Sequence, residues 1–236
     1  MTNLGVVVPA RNEADLLPDC LAALSRSRAA LRQWAPQVSV RLVLVLDSCV
    51  DASAQVAQVY SQIETVTVDA GCVGGARQAG IDHLLRSGSA VLGDWFACTD
   101  ADSAVPADWL ITHYEAARAG VDLLLGSVRP DRGPLSPEDF EEWQARHDLG
   151  DGHGHVFGAN LGFGVRTLSA TGGFRPLPVH EDVDLTVRTR DAGLTVVATG
   201  ASPVVTSARH SGRTPAGFAS YLLREFGPLP DQAAAG

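Results

Sequence analysis

Trp95-Phe96-Ala97-Cys98-Thr99-Asp100-Ala101-Asp102 sets an unbroken apolar run against two acids one residue apart. A short apolar run without polar alternation is the pattern of a strand buried on both faces. Similar runs occupy residues 5–8, 38–46, 65–68, 94–98 and 121–125. Between them, residues 13–34, 52–63, 74–86 and 107–119 carry apolar positions at helical spacing, as Val56, Val59 and Tyr60 illustrate. Strand alternating with helix predicts an α/β fold with a mostly parallel central sheet flanked by helices. In such sheets ligands gather beyond the carboxyl ends of the strands, so residues 9–13, 47–51 and 100–103 should converge.

The regularity fades after about residue 127. Residues 129–137 are rich in Pro, Gly and charge and predict a loop, followed by a helix over 137–147. Five of the six residues in 150–155 are Gly or His, a composition that predicts a mobile segment. A helix is expected from about Glu181, a strand from about Leu194 and a last helix over 215–226. At 236 residues, with 45% hydrophobic and 19% charged positions, the chain is long enough for one domain with its own core.

All 18 basic residues are arginine. Without lysine there is neither a Walker-type phosphate loop nor a lysine Schiff base. The net charge of -9 repels phosphate backbones and excludes nonspecific nucleic-acid binding, so a phosphate ligand needs a cation. Cys20, Cys49, Cys72 and Cys98 form no C-x-x-C pair and are read as reduced and mostly buried. The first apolar run has no basic leader, and no stretch approaches 18 apolar residues, so neither a signal peptide nor a transmembrane segment is expected. The expectation is a cytoplasmic protein.

Asp100 and Asp102 are the first candidates for chemistry. With a side-chain period of two, both carboxylates face one way if strand geometry persists through Asp102, and paired carboxylates suit Mg²⁺ or Mn²⁺. About 1.5 D-x-D matches arise by chance in this composition, and two occur, the other being Asp182-Val183-Asp184. The alternative is a turn or helix cap at Asp102-Ser103. Asp47 ends the strongest strand signal and could accept an N–H from a nucleobase, or satisfy loop amides while Asp51 or Ser53 caps the next helix. Gly74-Gly75-Ala76-Arg77 opens a helix whose amides could approach a diphosphate. Asp182 lies where acids favour a helix N-terminus, and Asp184 can pair with Arg188 at i,i+4. His153 and His155 could bind metal but are read as solvated, and His210 could reach a metal or diphosphate.

Taken in order, these residues resemble family 2 glycosyltransferases of the GT-A fold. Val6-Val7-Val8-Pro9-Ala10-Arg11-Asn12-Glu13 is similar to the family's opening strand, and residues 47–53 occupy its nucleobase-acid position. Gly75-Ala76-Arg77-Gln78-Ala79-Gly80, then Thr99-Asp100-Ala101-Asp102-Ser103 with residues 105–110, follow in family order. Gly158-Ala159-Asn160-Leu161-Gly162, Gly172-Gly173-Phe174 and Glu181-Asp182-Val183-Asp184-Leu185 resemble the acceptor-side block. The likeness covers about residues 3–195. Leu46 and Gln78 depart from the usual acid and Asn, and the Q-x-x-R-W motif of processive synthases is absent.

The resemblance implies one GT-A unit over residues 1–236, with a nucleotide-binding half (1–110) and an acceptor-side half (111–236). It implies transfer of one sugar from a nucleotide-diphosphate donor, UDP-linked by preference, to an unidentified acceptor hydroxyl with inversion. Pro9, Ala10, Arg11, Glu13, Asp47, Gly75, Arg77, Asp100, Ala101 and Asp102 would line the donor site. Asp102, Asp100 and His210 would serve Mn²⁺ or Mg²⁺, and Asp182 would act as base with Glu181 orienting it. A nucleotide-sugar binding module, a degenerate relative, a retaining transferase and a nucleotidyltransferase are the alternatives.

Overall fold

The computed structural model describes residues 3–86, 94–133, 135–209 and 218–226. In chain order the first half contains β1 (Asn3–Ala10), α1 (Leu17–Trp34), β2 (Ser39–Asp47), α2 (Ser53–Gln58), β3 (Ile63–Val68), α3 (Val73–Arg86), β4 (Trp95–Cys98), β5 (Ser103–Ala104) and α4 (Trp109–Arg118). The second half contains β6 (Leu123–Pro130), α5 (Pro137–Arg146), a 3₁₀ turn (Gly158–Asn160), β7 (Leu161–Gly164), α6 (Val165–Thr171), α7 (Glu181–Asp191), β8 (Val196–Thr206) and α8 (Phe218–Phe226).

The described strands form a sheet in the order β3-β2-β1-β4-β7-β6-β8-β5. From β3 to β4 every neighbour is parallel, as strand-helix alternation predicts. β7 then enters antiparallel to both β4 and β6, while β8 returns parallel to β6.

Period-two alternation builds two cores from the same strands. Leu4, Val6 and Val8 of β1, with Leu42, Leu44 and Leu46 of β2, meet Leu17, Leu21 and Leu24 of α1 on one face. Val7, Val43 and Val45 meet Ala76, Ile81 and Leu84 of α3 on the other. Each fully buried aliphatic side chain contributes about 1.5–3 kcal/mol, so the parallel strands are held from both sides. Gly80 sets the spacing of α3: a Cβ there would lie 2.5 Å from Val7 Cγ1 and 2.9 Å from Val45 Cγ2.

Several boundaries differ from expectation. The helix expected over 52–63 is only α2, because Ile63 has already joined β3 opposite Leu42. The strand expected to stop at residue 125 continues to Pro130, since Arg129 and Pro130 pair with Val205 and Thr206 of β8. β7 reaches only Leu125, and beyond it the other edge of β6 has no strand partner among the described residues, where a proline is tolerated. Residues 150–155 are tied to β8 rather than free: the Gly152 N–H donates to the Ala198 carbonyl, and Asp151 accepts from the Thr199 hydroxyl and the Gly200 N–H. His153, read as solvated, is buried there, while His155 is half-buried against Phe157. The last helix begins at Phe218; residues 215–217 lie outside the described residues.

Candidate functional site

The strand-to-helix turns after β1 and β2 are laced together. Asn12 and Ser48 both adopt left-handed backbone, at φ 56° and 52°, a conformation asparagine tolerates better than most residues. The Asn12 carboxamide oxygen accepts from the Val50 and Asp51 N–H groups, while Asp51 accepts from the Ala14 N–H and Ser53 Oγ from the Glu13 N–H. These bonds satisfy backbone amides that would otherwise be orphaned, and they fix the floor of a cleft of about 260 Å³ at the carboxyl ends of β1, β2 and β4.

Pro9, Ala10, Arg11, Glu13, Asp47, Asp100, Ala101 and Asp102 all line this cleft, together with Gly71, Cys72, Val73, Ala76, Pro178 and Arg209. The convergence of the three strand ends is therefore observed. Asp47 is buried, and its three hydrogen bonds, from the Ala70 and Gly71 amides and the Ser48 hydroxyl, all fall on Oδ1. Loop satisfaction thus accounts for one carboxylate oxygen, and Oδ2 carries none of these bonds.

Asp100 and Asp102 reach the cleft by a different route from the one expected. β4 ends at Cys98, and the Ser103 N–H donates to the Asp100 carbonyl, so residues 100–103 form a turn instead of extended strand. The two carboxylates take different partners. Asp100 Oδ1 accepts from Arg77 at 2.6 Å, whereas Asp102 Oδ2 accepts from Arg209 at 2.9 Å. Burial, reinforced by the Asp100 charge and opposed by Arg209, pushes the Asp102 carboxyl up to about 6.

Arg77 lies beneath the cleft. It is 2% exposed and pairs with both Asp100 and Glu181, joining α3 to the turn after β4 and to the first turn of α7. Burial works against its charge, but Asp100 and Glu181 more than compensate and hold it above the usual arginine range. Burial also raises the Glu181 carboxyl, with Arg77 opposing. Gly158 leaves room for this guanidinium, since a Cβ there would lie 2.5 Å from a terminal nitrogen of Arg77. Gly75 packs against Ala70 and Cys72, and Gly74 against the Arg175 carbonyl and Glu181. Both glycines therefore have packing reasons independent of any phosphate.

Farther along the chain, Gln78 Oε1 accepts from the Phe174 N–H and so anchors the Gly172-Gly173-Phe174 turn to α3. Asn160 is a buried knot that accepts from the Trp109 indole and donates to the Ser127 and Ser202 carbonyls. Asp184 pairs with Arg188 and Arg175, as the i,i+4 reading allows. Asp182 is half-buried in the first turn of α7 and accepts from the Val183 N–H. Asp182 and Glu181 are not among the residues lining the cleft, although Pro178, a few residues upstream, is. His210 lies outside the described residues.

Arg209 is the charged cleft residue that sequence reasoning missed. Its terminal nitrogens reach both Glu13 carboxylate oxygens at 2.7 Å as well as Asp102. The available signal was the Arg209-His210 cluster just beyond a strand, but its partners are 196 and 107 residues away. Paired carboxylates on this turn fit a small hard cation by donor type. Among the described residues no group of three or more His, Cys, Asp or Glu could hold a metal ion, so such a site would be completed by ligand and water oxygens, as Mg²⁺ sites commonly are.

The description "Glycosyl transferase family 2" matches residues 5–147. The chain belongs to that family. No curated protein sequence matches it. Among solved structures, S. aureus TarS 1–349 in complex with UDP-GlcNAc is similar at TM-score 0.65 and 12% identity, over 98% of this chain and 69% of that one. The mannosyltransferase PcManGT from Pyrobaculum calidifontis, in complex with GDP-Man and Mn²⁺, is similar at TM-score 0.61 and 18% identity, over 89% and 58%. Mannosyl-3-phosphoglycerate synthase from Rubrobacter xylanophilus gives TM-score 0.62 and 17% identity, over 94% and 72%. These likenesses establish the GT-A fold. The match to another structure of TarS 1–349 spans 61% of that chain, and the match to a structure of TarS spans 37%. Among the described residues no helix is long and apolar enough to cross a membrane.

Proposed function

We propose that the protein transfers one sugar from a nucleotide-diphosphate donor, UDP-linked by preference, to an acceptor hydroxyl, with inversion and with a divalent cation. The observation that carries this reading is the convergence of Asp47, Asp100 and Asp102 from separate strand ends on one cleft in a family 2 chain. Residues 1–110 would supply the donor side and residues 111–236 the acceptor side of a single unit. We place the reaction in the cytoplasm, in keeping with four unpaired cysteines.

In this reading Asp47 Oδ2 accepts an N–H from the base, and Arg11, exposed at the rim, meets the ribose or phosphate. Asp102 and Asp100 would hold Mn²⁺ or Mg²⁺, which would neutralise charge developing on the leaving diphosphate. Asp182 takes the acceptor proton. Glu181, fixed to Arg77, sets the position of the α7 turn that carries it. PcManGT, bound to GDP-Man and Mn²⁺, makes a guanine donor the second reading of the base pocket.

Incubation with UDP- and GDP-sugars, acceptor extract and Mn²⁺ tests the reaction class. Release of nucleoside diphosphate only when acceptor is present is the expected result. Release of pyrophosphate would indicate a nucleotidyltransferase, and binding without turnover a sugar-nucleotide binding module.

A further inference from the structure

The cleft is lined by four carboxylates, those of Glu13, Asp47, Asp100 and Asp102, against the guanidinium groups of Arg11 and Arg209. Arg209 does not point freely into it. Its fork is bidentate on Glu13, and one of the same nitrogens also reaches Asp102 Oδ2 at 2.9 Å. We propose that Arg209 is a built-in counter-ion which occupies Glu13 and Asp102 while the cleft is empty and transfers to the diphosphate when the donor arrives, so that cation and nucleotide bind as a coupled pair. This rests on the donor-site reading given above.

Two features support a side-chain swing as the moving part. The backbone leading to Arg209 is tied down: the Ser207 N–H donates to the Asp102 carbonyl, and the Ala208 N–H donates to Asp131. Ala208 is fully buried. Among the described residues, in contrast, the Arg209 Nε–H is buried without a partner, so this arrangement leaves one donor of the guanidinium unused.

The electrostatics then favour simultaneous binding. A divalent ion arriving alone at Asp102 meets a guanidinium on the same carboxylate, and like charges in a partly buried site repel. When a diphosphate arrives with it, the planar fork has a partner of matching geometry, because guanidinium pairs bidentately with phosphate oxygens. Releasing Arg209 frees Asp102 Oδ2 for the cation, so each ligand removes the obstacle to the other. Coupling of this kind is typically about 5- to 150-fold in affinity, and it is reciprocal.

The test is titration of Mn²⁺ alone, of UDP or GDP alone, and of each in the presence of the other, by calorimetry and by the electron paramagnetic resonance signal of free Mn²⁺. Wild type is compared with Arg209→Gln and Arg209→Lys, after thermal melts establish that each variant folds. The expected result is that Arg209→Gln binds Mn²⁺ alone about tenfold more tightly than wild type, while the coupling between Mn²⁺ and nucleotide falls by a similar factor. Arg209→Lys, which keeps the charge and loses the fork, should bind Mn²⁺ alone as weakly as wild type yet show reduced coupling. If wild type binds Mn²⁺ and nucleotide but both variants leave Mn²⁺ affinity and coupling unchanged, the counter-ion role is overturned and the donor-site reading stands. If wild type binds neither nucleotide under any condition, both fall.

Discussion

The Arg77 guanidinium joins Asp100, at the floor of the cleft, to Glu181, at the first turn of α7. One buried cation thereby ties the turn after β4 to the helix that carries Asp182. Such a group is costly to disturb from one side only. Replacing a whole buried pair with apolar groups is often neutral, whereas removing one partner strands the other charge.

Arg77→Met should therefore destabilise the protein by about 3–5 kcal/mol in urea unfolding. Removing Glu181 as well, as Glu181→Leu in the same chain, should recover part of that loss. If Arg77→Met unfolds like wild type but fails to bind nucleotide, Arg77 is a donor ligand and not a structural bridge.

His113 gives the fold a pH dependence unrelated to the cleft. It is fully buried against Trp95 and Trp109, its Nδ1 accepts from the Trp95 indole, and burial holds its pKa down at about 3. The unfolded chain takes up this proton near pH 6.5, so the contribution is present above pH 6.5 and is lost as pH falls from there toward 3. Urea midpoints at pH 7 and pH 4.5 should fall more for wild type than for His113→Gln. Equal falls would show that His113 is free to protonate in place.

Asp182→Asn keeps the shape of the side chain and removes its basicity. Under the proposed mechanism kcat should drop by about 10²- to 10⁴-fold with nucleotide affinity near wild type, while Asp102→Asn should weaken metal-dependent nucleotide binding. Near-normal turnover by Asp182→Asn would move the search for the base elsewhere on the first turn of α7. Asp184 is engaged there with Arg188 and Arg175.

Asp102 should also make cation binding acid-sensitive. Its carboxyl is pushed up to about 6, so protonation below that pH competes with a cation. Because the cation favours the charged form, the apparent midpoint for loss of Mn²⁺-dependent nucleotide binding should lie at or below about pH 6. Calorimetric titrations at pH 5, 6 and 7 check this, and affinity constant across that range would separate Asp102 from the cation.

The N-terminal half was legible because it obeys local rules. Strands buried on both faces read as unbroken apolar runs, as in β1 and β2, and Asp47, Asp100 and Asp102 follow them directly. What stayed hidden depends on partners distant in the chain. β7 is a four-residue strand with two glycines, and its pairing with β4 and β6 leaves no local period to detect. Residues 150–155 look mobile by composition but are held by β8 running alongside and by His155 against His147 and Phe157. Arg77 and Gly74 sit in a pattern suited to phosphate, yet both are buried against Glu181 of α7, while Gly75 packs on Ala70 and Cys72. Arg209 could be seen as part of a basic cluster, but not as the residue closing on Glu13 and Asp102.

The central claim, that an acidic cleft binds nucleotide diphosphate through a divalent cation, is tested most directly by thermal and urea stability with UDP or GDP in the presence of Mn²⁺ or of chelator. At 100 times the dissociation constant, nucleotide with Mn²⁺ should stabilise the protein by about 2.7 kcal/mol, and chelator should abolish most of that gain. Equal stabilisation with and without chelator would contradict the account.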